Sequence, residues 1–273
     1  MKIAIVCVNY NSYESLSCYL DSLDKASHAS KGVADVQVYV ADNSTKKKDI
    51  DIVKYKNIGI HINDYDNLGY LGGAFEMINS MNYNERDSYD YIAISNVDVT
   101  IKEDFFLQLV ELNHPDDLAW VAPSIFFERL NKVGSEEWDE RPSVKKMKFY
   151  DILYRHPTLY RLYWLASRFK MRADNNVRRD ERYIYSGYGS FMLFTKGFIV
   201  KQDKWCYEPF LFGEEIFFAE MARTYNMKVL YAPQLRINDI GKVSTGKIAS
   251  NNKLKMQKES NLYLYNTFFK NKC

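Results

Sequence analysis

Apolar residues recur along this chain in short blocks whose spacing alternates. Ile3–Val8 is an unbroken apolar run of strand length, the pattern of a strand covered on both faces. Leu16, Tyr19, Leu20 and Leu23 then recur at helical spacing and predict a helix over Tyr13–Ala26. Asp35–Ala41 returns to strand character, and His61-Ile62 predicts a short strand. The stretch Asp66–Gly73 predicts a turn that leads into a helix ending near Met81. Tyr91–Ser95 predicts a strand, Glu103–Leu112 a helix and Leu118–Val121 a strand. Farther on, Ser190–Thr195 predicts a strand and Glu214–Tyr225 a helix with acids at its favourable N-terminal end. Lys228–Tyr231 predicts a last core strand, and Asn251–Lys270 a polar C-terminal helix with a Leu/Tyr/Phe stripe.

Strand–helix alternation of this kind predicts an α/β domain with a mixed, mainly parallel sheet flanked by helices. Ligands of such sheets sit beyond the carboxyl ends of the strands. Polar clusters fall at three of those ends: Asn9-Tyr10-Asn11, Asp42-Asn43-Ser44 and Asn96-Val97-Asp98. Each alone is an ordinary turn sequence. Three on one edge of one sheet predict one site.

Charge distribution separates the second half of the chain from the first. Lys145–Arg182 holds eleven Lys and Arg against four acids, a net +7 where the whole chain carries +2. Phe149, Tyr150, Tyr154, Tyr160, Tyr163, Trp164 and Phe169 are interleaved with these cations. A basic, aromatic, partly helical insertion suits an anionic membrane surface; its alternative is a packed helical insertion with solvated cations. No nucleic-acid recognition module accompanies it, so no nucleic-acid partner is expected. The four cysteines lack CxxC spacing, and Cys7 and Cys18 read as small buried hydrophobes of a reducing compartment. The opening MKIAIVCVNYNS reads as a strand rather than a signal peptide. No run approaches the ~20 apolar residues that span a bilayer. A cytoplasmic protein, peripheral on the inner face of the membrane, is the resulting expectation.

Two places carry candidate chemistry. Asp98 is a single carboxylate at a strand end, able to hold a hard divalent cation while phosphates and water fill its other positions. Glu214 and Glu215 are adjacent carboxylates at a helix start and candidates for a general base. Their like charges raise one pKa while the helix dipole lowers both.

Together these residues resemble family 2 glycosyltransferases of the GT-A fold, especially the rhamnosyltransferase-like branch of bacterial surface polysaccharide synthesis. The resemblance rests on Ile5–Asn11, Val40–Ser44, Asn67–Gly73, Ser95–Val99 and Phe210–Glu215, with Ser186–Leu193 in support, in the family's order across about Lys2–Ser244. It implies one catalytic domain over 1–250, with a nucleotide-binding half at 1–125, the basic insertion at about 144–182 and an acceptor half at 183–250. Residues 251–273 form a C-terminal helix. Val8, Asn9, Tyr10 and Asn11 then line the nucleobase pocket, Asp42 and Asn43 meet the base or ribose, and Asn67 and Gly69 border the nucleotide. Asn96-Val97-Asp98 takes the place of the family's DxD motif. Asp98 and Asp239 are the implied ligands of Mg2+ or Mn2+. Gly187, Gly189 and Ser190 lie near the acceptor. Glu215, with Glu214 beside it, matches the base. The implied reaction inverts the anomeric carbon, moving a sugar from a UDP- or dTDP-linked donor to a hydroxyl of a saccharide or lipid-linked oligosaccharide.

The sequence departs from the family at four places, one of them Ala74-Phe75, where Asn often follows the double glycine. Asn96 replaces the first acid of DxD, Phe217 stands where a third acid often follows the Glu pair, and Asp239 stands where the family often has His. The departures at Phe217 and Asp239 motivate the rival reading, a catalytically silent module that binds a sugar nucleotide or scaffolds a complex. A nucleotidyltransferase would need a glycine-rich basic loop after the first strand, and a dinucleotide oxidoreductase would need GxGxxG there; Asn9–Tyr13 is neither. The four scattered His, without HxxxH spacing, argue against zinc.

Overall fold

The computed structural model describes residues 1–134, 138–163, 165, 180–241 and 250–270. Its ten strands form one sheet: β1 (Lys2–Asn9), β2 (Asp35–Asp42), β3 (Gly59–Asp64), β4 (Tyr91–Asn96), β5 (Val99–Ile101), β6 (Leu118–Phe127), β7 (Lys132–Gly134), β8 (Arg182–Ile184), β9 (Phe191–Thr195) and β10 (Lys228–Asp239). The order is β3-β2-β1-β4-β9-β6-β10-β5, with β7 on β6 and β8 on β10. Parallel pairing joins β3, β2, β1 and β4, and also β6 and β10. β9 enters antiparallel between β4 and β6, so these six strands still share one direction. The sheet is therefore mixed and mainly parallel, as expected. From β1 the chain builds outward to β2 and β3, then returns to the other side of β1 with β4. That reversal opens a crevice at the carboxyl ends of β1 and β4.

The helices are α1 (Tyr13–Ala29), α2 (Gly69–Ser80), α3 (Tyr83–Arg86), α4 (Phe105–Glu111), α5 (Val144–Arg155), α6 (Lys196–Ile199), α7 (Glu214–Thr224) and α8 (Ser250–Leu264), the last running into a π-helical turn, Tyr265–Phe269. Two cores lie on the two faces of the sheet. Alternate residues of β1 feed them, Ile3, Ile5 and Cys7 to one and Ala4 and Val6 to the other. This explains the unbroken apolar run. Leu16, Tyr19, Leu20 and Leu23 of α1 cover the first face, with Phe105 and Phe106 of α4. Tyr70, Leu71 and Phe75 of α2 and Ile216, Phe217 and Phe218 of α7 cover the second. There Phe194 and Phe218 meet with ring centroids 4.4 Å apart.

Several sequence expectations need correction. Cys18 is exposed, because the buried stripe of α1 runs through Leu16, Tyr19, Leu20 and Leu23. The glycine pair Gly72-Gly73 lies inside α2, which begins at Gly69, and the Asn43 carboxamide packs against Gly73. β6 and β10 run well past the predicted Leu118–Val121 and Lys228–Tyr231. Much of the basic insertion, residues 164 and 166–179, lies outside the described residues. Among the described residues no helix is long and apolar enough to cross a membrane.

Candidate active site

The parallel strands bring the three polar clusters to one edge. Asn9 pairs in register with Asp42, and Val8 with Asn96. At that edge Asn9 and Asp42 form a buried latch. The Asn9 Nδ2 donates to Asp42 Oδ1 and to Ser44 Oγ, each at 3.1 Å, and its Oδ1 accepts from the Ser12 amide at 3.2 Å. Asp42, only 2% exposed, also accepts from the Ser44 amide at 3.0 Å and from the Tyr13 hydroxyl at 2.6 Å. Lys47 Nζ stands 4.0 Å from Asp42 and 3.2 Å from Asp64, the residue that ends β3. Asn9 and Asp42 therefore fix the loop that carries Tyr10 and Asn11, both of which face solvent. Asn43 Nδ2 donates to the Gly69 carbonyl at 2.9 Å, and exposed Asn67 accepts from the Gly69 amide at 3.3 Å. Those two contacts hold the entry of α2 against the same edge.

The acids converge on a neighbouring cavity of about 430 Å³. It is lined by Val8, Asn96, Asp98, Gly189, Ser190, Glu214, Glu215 and Asp239, together with Phe127, Arg129, Tyr188 and Phe212. β5 and β10 bring Asp98 and Asp239 side by side. Val99 opposes Asp239 across the antiparallel pair, and the Ile240 amide donates to the Asp98 carbonyl at 3.0 Å. Both carboxylates are largely buried, 9% and 8% exposed. The Asn96 amide donates to the Ser190 carbonyl at 3.0 Å, tying the end of β4 to the start of β9. Ser190 Oγ is buried without a hydrogen-bond partner and stands at the cavity wall.

Glu214 and Glu215 begin α7 after a strained turn. Phe212 has φ 72° and Gly213 φ 84°, a left-handed pair that costs a non-glycine residue stability. Tyr207 Oη and Ser260 Oγ both donate to the Phe212 carbonyl, each at 2.6 Å, and hold the turn in place. Glu215 then lies against Gly189, whose amide donates to Glu215 Oε1 at 3.3 Å. Burial pushes the Glu215 carboxyl above the ordinary carboxylate range, opposed by backbone hydrogen bonds from its own amide and from Gly189. Gly189 is held in turn by Tyr70, whose hydroxyl donates to its carbonyl at 2.8 Å. Deeper in α7, buried Glu220 accepts from Arg141 Nε at 2.6 Å, Arg141 Nη2 at 3.0 Å and Tyr185 Oη at 2.8 Å. Phe217 points into the aromatic core, 4.8 Å from the Tyr207 ring, and does not line the cavity that holds Asp98, Asp239 and Glu215.

Of the three residues that the resemblance put near an acceptor, Gly187 alone stays outside the cavity; it presses against Trp120 and Ala122. Phe127 and Arg129 escaped sequence reasoning because β6 runs past its predicted end at Val121 and into the turn that carries Arg129, whereas Tyr188 lies within the Gly187–Ser190 stretch that the resemblance put near an acceptor. Phe127 and Tyr188 meet edge to face at 5.0 Å. Among the described residues no three His, Cys, Asp or Glu side chains cluster as a metal cage. Asp98 and Asp239 line the same cavity and supply the hard oxygen donors that a divalent cation takes when phosphate and water fill its other positions.

No protein-family model matches the sequence, and no curated protein does. Solved structures share the fold. S. aureus TarS 1–349 superposes with a TM-score of 0.54 at 10% identity, over 99% of this chain and 73% of that one. The same fragment in complex with UDP-GlcNAc gives 0.54 at 11% identity, over 96% of this chain and 66% of that one. GalNAc-T7 with UDP, GalNAc and Mn2+ gives 0.57 at 10% identity, over 97% of this chain and 50% of the GalNAc-T7 chain. The chain thus spans half the length of GalNAc-T7. At such identities the likeness establishes the GT-A fold.

Proposed function

We propose that this chain is an inverting glycosyltransferase that uses a UDP- or dTDP-linked sugar. The observation that carries the proposal is the meeting of Glu215, Asp98 and Asp239 in one cavity at the carboxyl edge of the sheet. The described structures of TarS and GalNAc-T7 hold UDP-GlcNAc and UDP with GalNAc and Mn2+, which supports a nucleotide-sugar donor for the shared fold. Asp98 and Asp239 would hold Mg2+ or Mn2+, which supplies positive charge to a departing diphosphate. Arg129, on the same cavity wall, adds fixed positive charge where Asp239 lacks a proton to donate. Tyr10, Asn11 and the Asp42 loop border the nucleotide, with Asn9 and Asn43 positioning them.

Glu215 acts on the acceptor. It takes the proton of an acceptor hydroxyl as that oxygen bonds to the anomeric carbon from the face opposite the leaving group. The anomeric carbon–oxygen bond to the diphosphate breaks, and the diphosphate leaves with the electron pair. A raised pKa suits this base, because a more basic carboxylate accepts a proton more readily. The test is Glu215→Gln with nucleotide release from a panel of UDP- and dTDP-sugars. Loss of release with an intact fold is expected; wild-type rates in the variant contradict the role, and no release by the wild type on any donor favours a silent binding module.

The acceptor is a lipid-linked saccharide in this reading, which places the protein on a membrane surface. Phe149, Ile152, Leu159, Leu162 and Leu165 are all exposed, among Lys145, Lys148, Arg155 and Arg161. Apolar side chains ringed by cations are the chemistry of an anionic leaflet. Vesicles of anionic lipid should retain the protein at low salt and release it at high salt.

A further inference from the structure

Glu215 borders a second cavity, of about 470 Å³, as well as the one that holds the acids. Phe212 is common to both. The second cavity lies between α5, residues 157–163, α8 and the turn into α7. Its wall is aromatic: Trp138, Tyr150, Tyr154, Tyr160 and Tyr163. Tyr150 and Tyr154 stack at 5.9 Å with their planes 19° apart, and Trp138 meets Tyr150 edge to face at 6.2 Å. Lys146 Nζ sits 3.9 Å from the Trp138 ring centroid. Gln257 and Asn261 of α8 bring amides to the same space. Asn261 Nδ2 donates to the Met147 carbonyl at 3.1 Å, joining α8 to α5. Gln257 Oε1 is buried and has no hydrogen-bond partner.

We propose that this aromatic chamber is the acceptor site and that it holds a saccharide ring, an inference that rests on Glu215 being the base. A pyranose has an apolar face of C–H groups and a rim of hydroxyls. Flat Tyr and Trp faces take the first, and the amides of Gln257 and Asn261 take the second. The unpartnered Gln257 oxygen is the sharpest sign. A buried amide oxygen left unpaired is destabilising, and a donor hydroxyl would relieve that cost. An acyl chain in the chamber would leave it unrelieved. Placement beside Glu215 puts a bound ring's hydroxyl next to the carboxylate that must accept its proton. Because the chamber is built mainly from α5, residues 157–163 and α8, and shares only Phe212 and Glu215 with the donor cavity, acceptor choice is set largely by residues separate from the donor's.

Binding tests this without knowledge of the donor. Labelled protein is applied, with and without UDP, to an array of immobilised di- to hexasaccharides. At least one glycan should bind the wild type, and Tyr154→Ala and Gln257→Leu should each weaken it tenfold or more. Tyr154→Phe should keep it, since the ring face remains, and Asp98→Ala should keep it too. Tyr154 is half-buried, and if Tyr154→Ala fails to fold, Gln257→Leu carries the same test. The proposal is overturned if no glycan binds, if binding ignores both Tyr154→Ala and Gln257→Leu, or if Asp98→Ala abolishes it. Failure of the donor reading shows separately, as glycan binding that persists while no nucleotide stabilises the protein.

Discussion

Gly189→Ala should cripple transfer while leaving the fold and the nucleotide site nearly intact. A Cβ built on Gly189 would lie 2.6 Å from Glu214 Cγ and 2.8 Å from Glu215 Oε1, where ordinary contact begins at 3.4 Å. The two side chains must therefore retreat by about 0.8 Å and 0.6 Å. The 3.3 Å bond from the Gly189 amide to Glu215 would lengthen or break. The backbone itself objects little, because Gly189 is not among the positive-φ residues. A misplacement of about 1 Å costs on the order of 10²-fold in rate, so the 0.6 Å retreat of Glu215 should cost on the order of 10-fold, or about 1.4 kcal/mol of barrier. Overpacking costs about 1–3 kcal/mol of stability, and an open cavity beside the new methyl keeps the loss near the lower figure. Nucleotide release from a responsive UDP- or dTDP-sugar, set beside thermal melting and nucleotide binding, measures all three. A variant within threefold of the wild-type rate would refute the placement of Glu215 as the base.

Other perturbations separate structure from chemistry. Arg141→Met leaves the buried Glu220 carboxylate without its bidentate partner, and Arg141 also lies 4.2 Å over the Phe269 ring. Breaking such a pair costs about 3 kcal/mol, less than a fully buried pair because Arg141 stays 26% exposed, and thermal melting reads it. Glu215, with its pKa raised in the folded state, gives the pH profile a specific shape. Activity should fall as pH drops through that raised value, above the usual carboxylate range, because the protonated base is idle. The same shift costs stability once pH rises through the folded pKa, so Glu215→Gln should melt higher than wild type at neutral pH. That gain should vanish at a pH below the unfolded carboxylate value. An equal melting temperature at both pH values would show that burial does not strain this carboxylate.

Much of this geometry was legible from residue order. Ile3–Val8, Asp35–Ala41 and Tyr91–Ser95 announced buried parallel strands because each feeds both cores, so no polar face interrupts them. The clusters at Asn9, Asp42 and Asn96 were read as one edge, and they share one register. Convergence of Asp98, Glu215 and Asp239 on one cavity was anticipated only through the family resemblance. Other features had no local signal. β5, β7 and β8 are three residues long and exist only as partners of longer strands. The second halves of β6 and β10 mix polar with apolar residues and are carried by pairing with each other across a bulge. Asn9 and Asp42 were expected to meet the nucleotide, yet their polar atoms serve one another first; sequence shows a residue's chemistry, but not which bonds it has already made. The aromatic residues from Phe149 to Phe169 suit either a membrane face or a packed insertion on sequence alone. Several of them line a chamber, which only the packing of α5 on α8 reveals.

Nucleotide binding tests the central claim most directly. UDP and dTDP should be titrated with and without Mn2+, in wild type and in Asp98→Ala and Asp239→Ala, and thermal stability followed. A ligand at 100 times its Kd adds about 2.7 kcal/mol. One nucleotide should raise the melting temperature of the wild type in a Mn2+-dependent manner, and the rise should shrink in both variants. No rise with either nucleotide at millimolar concentration would contradict a sugar-nucleotide site at this edge of the sheet.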